Sequence, residues 1–511
     1  MAYAQATLAC VVVFIVSRVV NYIKYRRDTG YLPGIRSLFS PLSPLGALIP
    51  TSRFNPGLNW FWEWRIETYA RAGTETISAV PYLFGGPVIY TSSLEVARQV
   101  LSTRENFYKS DDTVAITLIW GPNIFAESGD EWRRHRRILG PAFDNATYNS
   151  VWRESSRVVD EMVVAEGWTH KSLVNLSAVN PLTNKFAMIL ISTCGFGHSF
   201  PWDFGGSSHG KMSFGEAMTF MTNNHLLHLV LPHWAYRLPV KKFQQVGMAA
   251  KTLRMFMNEL IWQRRKDTAS GEAVKHDILS LMTQSSEREG KHKMTDSELM
   301  GNTFLLLSAG HDTVARTLDA ALGFLALHED FQEEVYDEII NAMPTEVDFT
   351  FENSSKLKKT QACFLEAARI FPAGYMVIRD TAQDVVLRNI GPNRDQVLPL
   401  RRDMSVVVDM IGLHHNPRLF PDPEEFKPER WYDVHENNLS MFAVGARACI
   451  GRRFAITEGV CFIARLLRQW KIKILARQGE SKAEWKARAM RGQAFTNFGV
   501  VDVPISLVRR E

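Results

Sequence analysis

Apolar positions fall along this chain in distinct patterns. At the start they run almost unbroken, Thr7 to Val16 and then Val19 to Ile23, interrupted by Ser17 and Arg18 and closed by Lys24, Arg26 and Arg27. Further on, Thr76 to Leu83 and Val88 to Tyr90 flank Gly85-Gly86, which predicts a β-hairpin with turn residues between its strands. From Glu95 to about Arg265 the period is mostly helical, while Lys266 to Val274 and Ser285 to Lys293 read as polar loops. Thr295-Asp-Ser-Glu298 has capping-box spacing and opens a proline-free helical run to about His328, on the order of 50 Å at 1.5 Å per residue. A helix of that length crosses a whole domain. Phe498 to Val508 reads as strand. The expected fold class is mainly α with minor β.

The N-terminal run has its basic residues after the apolar stretch, the reverse of a secretory signal. That order predicts a membrane anchor whose C-terminal flank faces the cytosol. Arg18 leaves the run only just long enough for the roughly 20 residues a span needs, so an interfacial helix is the alternative. Pro33, Pro41, Pro44 and Pro50 follow and read as a stiff linker. The expected organisation is therefore an anchor over 1–23, a basic, proline-rich linker over 24–50 and one catalytic domain over 51–511. Beyond the linker there is no further composition shift, repeat or low-complexity tract.

Composition narrows this little: 511 residues, 46% hydrophobic and 22% charged, are ordinary for a globular chain with a large core. A net charge of +5 does not argue for nucleic acid; it suits an acidic partner or an anionic membrane. The five cysteines are scattered and lack CxxC spacing, which argues against a disulfide framework or a zinc site and fits a reducing compartment.

Candidate chemistry gathers in a few stretches. Met441 to Gly459, MFAVGARACIGRRFAITEG, sets Cys449 among glycines and arginines ahead of an apolar helical run. Taken alone, a buried core cysteine is the competing reading. Within the long helix lies SAGHDT, Ser308 to Thr313. Gly310 weakens the helix by roughly 1 kcal/mol relative to Ala, and Thr313 can bond back to the carbonyl of Ala309. Asp312 and Thr313 then either open a wet groove or flank a glycine packing notch with a solvated aspartate. Trp132 to Arg136 is WRRHR, a basic helical turn; Glu366 and Arg369 share a helix face at i, i+3; Phe420 to Trp431 is the proline-rich FPDPEEFKPERW. The Gly195-Phe-Gly197 pair lacks the rest of a dinucleotide fingerprint.

In order and spacing these stretches resemble the cytochrome P-450 monooxygenases. FxxGxRxCxG matches Phe442 to Gly451, AGxDT matches Ala309 to Thr313, ExxR matches Glu366 to Arg369, PER matches Pro428 to Arg430 and WxxxR matches Trp132 to Arg136. The resemblance covers nearly the whole chain. Anchor and linker are similar to the microsomal eukaryotic type, and the C-terminal third to fungal members. It implies the cytochrome P-450 fold, with small β-sheets and a long central helix crossing haem b (iron protoporphyrin IX). Cys449 is the implied axial ligand of the iron, with Phe442 over the proximal face and Arg447, Trp132, Arg136 and Arg379 on the propionates. Asp312 and Thr313 match the family's oxygen-activating pair, although Val314 stands where a hydroxyl residue often follows. His311 falls at a spacer position. Glu366, Arg369 and Arg430 match a structural network.

The implied oxidoreductase is a haem-thiolate monooxygenase, in which the thiolate pushes electron density onto iron and favours O–O cleavage. It would insert one oxygen atom into a lipophilic substrate: a terpenoid, a sterol, another compound of secondary metabolism or a xenobiotic. Electrons would come from a separate NADPH-dependent flavoprotein reductase. The expected location is the endoplasmic reticulum membrane, single-pass, with the catalytic domain in the cytosol and no nucleic-acid partner. Segments 111–124, 212–234, 304–309, 373–378 and 493–500 map to pocket-lining loops, and Arg133, Arg134, Arg137, Arg452 and Arg453 form the expected reductase-docking face. Two rivals share the motifs. A rearranging or dehydrating relative tends to lack the acid–threonine pair, and a non-catalytic haem protein shows no NADPH-dependent turnover.

Overall fold

The computed structural model describes residues 2–102, 106–203, 212–270, 277–287, 290, 293–435 and 438–511. The chain beyond residue 50, expected as one domain, divides with the N-terminal segments into two compact units. The first comprises residues 1–113, 374–425 and 444–447; the second comprises 114–373, 426–443 and 448–511.

In the first unit the N-terminal apolar run forms α1 (Ala2–Asp28), a single helix that continues past Ile23. The anticipated hairpin is present: β2 (Thr76–Phe84) and β3 (Val88–Thr91) pair antiparallel, with Thr76 opposite Thr91 and Ala79 opposite Val88. They belong to a six-stranded sheet completed by β1 (Gly34–Phe39), β4 (Phe107–Tyr108), β5 (Met376–Thr381) and β6 (Ser405–Asp409), in the order β1-β2-β3-β6-β5-β4. Ile89, Val96, Val100, Val406 and Val408 build the core behind it. The segment expected as a stiff, proline-rich linker carries a strand and a short helix. Pro33 precedes β1, which runs parallel to β2, and Pro44 opens the short helix Pro44–Leu48, where its missing N–H is no loss.

The second unit is mostly helical. Its spine is the anticipated long helix, with the boundaries that the capping box set. The Thr295 hydroxyl accepts from Glu298 N–H at 3.2 Å, the Glu298 carboxylate accepts from Thr295 N–H at 2.7 Å, and the helix runs Asp296–Leu327. Around it stand Gly129–Leu139, Phe214–Val230, Lys358–Ile370 and Arg452–Gln469. In chain order these helices are α2 (Gly129–Leu139), α3 (Phe214–Val230), α4 (Asp296–Leu327), α5 (Lys358–Ile370) and α6 (Arg452–Gln469). A helix apolar all round is a core helix, and α4 is buried along nearly its whole length. In its middle Leu305, Gly310 and Thr313 are half-buried and Ala309 is exposed, a stripe left open along the helix.

Two expectations are corrected here. Phe498 to Val508 is two strands, because Pro504 has no N–H to continue a ladder. β8 (Phe498–Val500) pairs with β7 (Gly492–Ala494), whereas β9 (Ile505–Arg509) lies between Trp470–Ile474 and Leu173–Leu176. The polar segments are also shorter than expected: Lys266 to Ala269 closes the helix Lys241–Ala269, and Ser285 to Glu287 closes Ile278–Glu287. Residues 271–274, 288, 289, 291 and 292 of those segments lie outside the described residues.

Candidate functional site

α6 begins at Arg452 with Gly451 as its N-cap, and the thiol of Cys449 stands just ahead of it. The loop before it closes on itself, since Cys449 N–H donates to the carbonyl of half-buried Phe442 at 2.9 Å. Gly445 turns the chain at φ 79°, where a Cβ would lie 3.3 Å from Ser102 Oγ. Cys449 is accessible, while Cys363 and Cys461 are sealed in the core. Crowding by protein raises the Cys449 pKa; the Gly451 N–H, then Arg136 and Arg452, pull it down. Cys461 has its thiol directed at the Trp152 carbonyl, 3.3 Å away, and burial holds it well above the ordinary thiol range. Of these three thiols only Cys449 can be reached by a ligand, and once deprotonated it is the species that binds metal.

α2 carries Trp132 and Arg136 one turn apart. The tryptophan is buried with His135 and Leu139; the guanidinium of Arg136 is half-buried, its pKa lowered by burial and partly restored by Cys449. The same helix revises the expected basic face. Arg133 pairs with Asp130, and Arg134, only 13% exposed, is committed to Glu131 and Glu298, so it does not belong to a free surface. Arg453 lies over the Tyr148 ring at 4.9 Å.

In the first unit three cations lie near one another, Arg379 buried and Lys109 and Arg447 half-buried. Arg379 on β5 is 6% exposed, and burial followed by the nearby Arg447 pushes its guanidinium down to about 10. Lys109, directly after β4, is driven well below its usual value by burial, then by Arg379 and Arg447. The adjacent acid, Asp380, is bound by the hydroxyls of Ser110 and Ser405, each at 2.6 Å. Cations gathered in this way suit an anionic group, and guanidinium in particular suits carboxylates. Each unit by itself offers a group that suits part of haem: the accessible thiol of the second suits iron, and the cations of the first suit carboxylates. Lys109 was not foreseen; it sits in no motif, and only the strand pairing of β4 with β5 brings it to Arg379.

On α4, Thr313 Oγ1 donates to the Ala309 carbonyl at 2.8 Å, as its spacing suggested. Gly310 is a packing notch: a Cβ there would stand 2.6 Å from Ile191 Cγ1. Asp312 is not solvated but 4% exposed. Its Oδ2 accepts from Arg316 Nε at 3.0 Å and from Asn497 Nδ2 at 2.7 Å, in the β7–β8 turn. Arg316 also donates to Asn223 at 3.3 Å, beside the kink of α3 at Asn224, and Thr496 donates to the carbonyl of Thr222 at 2.6 Å. Arg316 was legible as an i+4 partner of Asp312; Asn497 was not, lying far along the chain. His311 is fully buried with Nδ1 2.8 Å from the Leu307 carbonyl, so that nitrogen carries the proton.

The Glu366–Arg369 pair on α5 is sealed. Arg369 donates to both carboxylate oxygens at 2.9 and 2.8 Å, and Lys427 N–H and Trp431 Nε1 donate at 3.0 and 2.8 Å. Arg430 stands 3.4 Å away. Of the expected lining segments, Trp120 and Phe304 stack at 4.4 Å with the His225 ring edge-on, a buried cluster that belongs to the core.

The family model described as cytochrome P-450 matches residues 80–493. Cytochrome P-450 monooxygenase 124 of Postia placenta is 30% identical over 94% of both chains. Cyclooctat-9-en-7-ol 5-monooxygenase of Streptomyces melanosporofaciens is 25% identical over 74% of this chain and 79% of its own. A crystal structure of a cytochrome P-450 superposes with a TM-score of 0.71 at 22% identity, covering 94% of this chain and 99% of the other.

Proposed function

This chain belongs to the cytochrome P-450 family and is a haem-dependent monooxygenase, and on that premise we propose the residues, substrate class and partners through which it works. The observation that carries the proposal is the accessible thiol of Cys449 at the mouth of α6, set apart from the sealed Cys363 and Cys461. Cys449 holds the haem iron as thiolate; burial raises its pKa, and the Gly451 N–H, then Arg136 and Arg452, offset part of that rise. Phe442 fixes the loop through its carbonyl. Arg447, Arg379, Trp132 and Arg136 hold the propionates, with Lys109 adding charge. Bound haem supplies the activation of dioxygen, one atom of which enters the substrate while the other leaves as water.

Thr313 and Asp312 handle protons on the open stripe of α4. The Thr313 hydroxyl donates to the Ala309 carbonyl and keeps its lone pairs for a proton donor. Asp312 holds Oδ2 toward Arg316 and Asn497, which leaves Oδ1 without a partner among the described residues and able to pass a proton. The substrate is lipophilic, a terpenoid, sterol or related secondary metabolite or xenobiotic; the Streptomyces relative, by its name, acts on cyclooctat-9-en-7-ol. Electrons come from an NADPH-dependent flavoprotein reductase. Its docking face holds Arg133, Arg137, Arg452 and Arg453, without Arg134. Residues 1–23 anchor the chain in the endoplasmic reticulum membrane and 51–511 are the catalytic part, facing the cytosol.

Turnover with reductase and NADPH under isotopically labelled dioxygen tests this, on substrates first chosen by their shift of the haem spin state. One labelled atom per oxidised product is the expected result. Product formed without label, or without dioxygen, would place the chain with the rearranging or dehydrating relatives.

A further inference from the structure

The marginal length of the anchor has a structural consequence. Residues 3–16 of α1 are exposed on all sides, and with Ala2 they reach about 22 Å, short of the roughly 30 Å of a hydrocarbon core. To span, the helix must also take Ser17 to about Tyr22 into the bilayer. Those residues are not free. Ser17, Arg18, Asn21, Tyr22, Tyr25 and Arg26 form a half-buried stripe at helical spacing, and the helix packs on β2. Tyr22 stacks on Tyr82 at 5.1 Å, Phe14 meets Phe84 at 6.3 Å, and Arg18 Nη1 donates to the carbonyl of Leu83 at 2.6 Å.

The hairpin tip therefore lies beside the part of α1 that a span requires. Its surface suits that position. β2 is buried from Thr76 to Pro81 and then turns outward, with Tyr82 43% and Phe84 47% exposed. Aromatic side chains favour the headgroup level of a membrane. The Arg18–Leu83 bond satisfies two groups that lipid penalises, a charge within an apolar run and a carbonyl at a strand end. Arg18 also lies 5.4 Å from the Phe14 ring centroid.

We propose that the tip of the β2–β3 hairpin, residues 81–86, enters the lipid leaflet beside α1, held there by the clamp from Arg18 to the Leu83 carbonyl. The inference rests on the reading of α1 as an anchor, and its partner is the phospholipid bilayer itself. It makes the hairpin a second membrane contact that sets the angle at which the first unit leaves the surface.

Photocrosslinking separates the two claims. Full-length protein carrying benzoylphenylalanine in place of Val12, or in place of Phe84, is reconstituted in phosphatidylcholine vesicles, irradiated and examined by mass spectrometry for lipid adducts. Adducts at both positions are expected. An adduct at 12 and none at 84 overturns the inference and leaves the anchor standing; none at 12 removes the anchor and the inference with it. Arg18→Ala in the second protein should lower the yield at 84 about fivefold, the effect of losing one net hydrogen bond of about 1 kcal/mol. An unchanged yield there would contradict the clamp.

Discussion

Two helices of the second unit each carry a carboxylate bound to an arginine about one turn on, Glu366 with Arg369 on α5 and Asp312 with Arg316 on α4, and the pairs differ in what is left over. At Glu366 both oxygens are taken, by Arg369, Lys427 N–H and Trp431, and both side chains are 0% exposed. Nothing can approach. At Asp312 one oxygen takes both hydrogen bonds, and the next residue, Thr313, stands on the open stripe of the helix. An acid–arginine pair is thus sealed as a lock in one place, and in the other it keeps one carboxylate oxygen without a hydrogen bond among the described residues, a difference made by what surrounds each pair.

The lock breaks most visibly. Arg369→Ala leaves the Glu366 charge buried without its main partner, a loss of about 3–5 kcal/mol. The expected outcome is a protein with a greatly lowered melting temperature and little bound haem, read by calorimetry and haem content; a normal melting curve would deny the lock. Asp312→Asn keeps an acceptor oxygen for Arg316, so haem content should stay near wild type while turnover falls about a hundredfold, the scale of a lost proton-transfer group. The solvent isotope effect on turnover should rise with it. Thr313→Ala should keep haem and substrate binding and lower product formed per NADPH consumed, measured by the ratio of product to NADPH. Asn497→Ala sharpens the Asp312 side: removing one hydrogen bond of about 1 kcal/mol should slow turnover about fivefold at unchanged haem content.

The smallest effect concerns Asp319, two turns beyond Asp312 on α4. It accepts from Thr183 at 2.6 Å and from Asn180 at 2.5 Å, with no cation in hydrogen-bond contact among the described residues, and burial raises its pKa from 3.8 to about 7. A raised folded pKa means that the stability contributed by this group is fully present below about pH 4 and is lost as pH rises through 7. Between those values the urea midpoint of wild type should fall more steeply than that of Asp319→Asn. Equal slopes would show that Asp319 does not titrate in that window.

Sequence reading went furthest where chemistry is local. The capping box at Thr295 gave the long helix its start, Gly85-Gly86 gave the hairpin, and the return bond of Thr313 followed from its spacing to Ala309. The Cys449 loop was legible because its glycines, arginines and thiol are contiguous. It failed where the deciding contact is distant. Nothing near Pro33 to Pro50 shows that β1 would find β2, nothing near Lys109 points to Arg379, and nothing in the β7–β8 turn marks Asn497 as a partner of Asp312. Charge runs misled for a similar reason: the basic helix α2 looked free until Asp130, Glu131 and Glu298 were placed against Arg133 and Arg134. Gly310 was ambiguous in sequence because a notch and a groove need the same residue; Ile191 decides for the notch.

The central claim is that Cys449, and not another cysteine of the chain, holds the haem iron as a thiolate. The carbon monoxide difference spectrum of the reduced, purified protein tests it most directly. Wild type and Cys461→Ala should both give the red-shifted band of thiolate-ligated haem, and Cys449→Ala should not. A band that survives in Cys449→Ala and vanishes in Cys461→Ala would contradict the account.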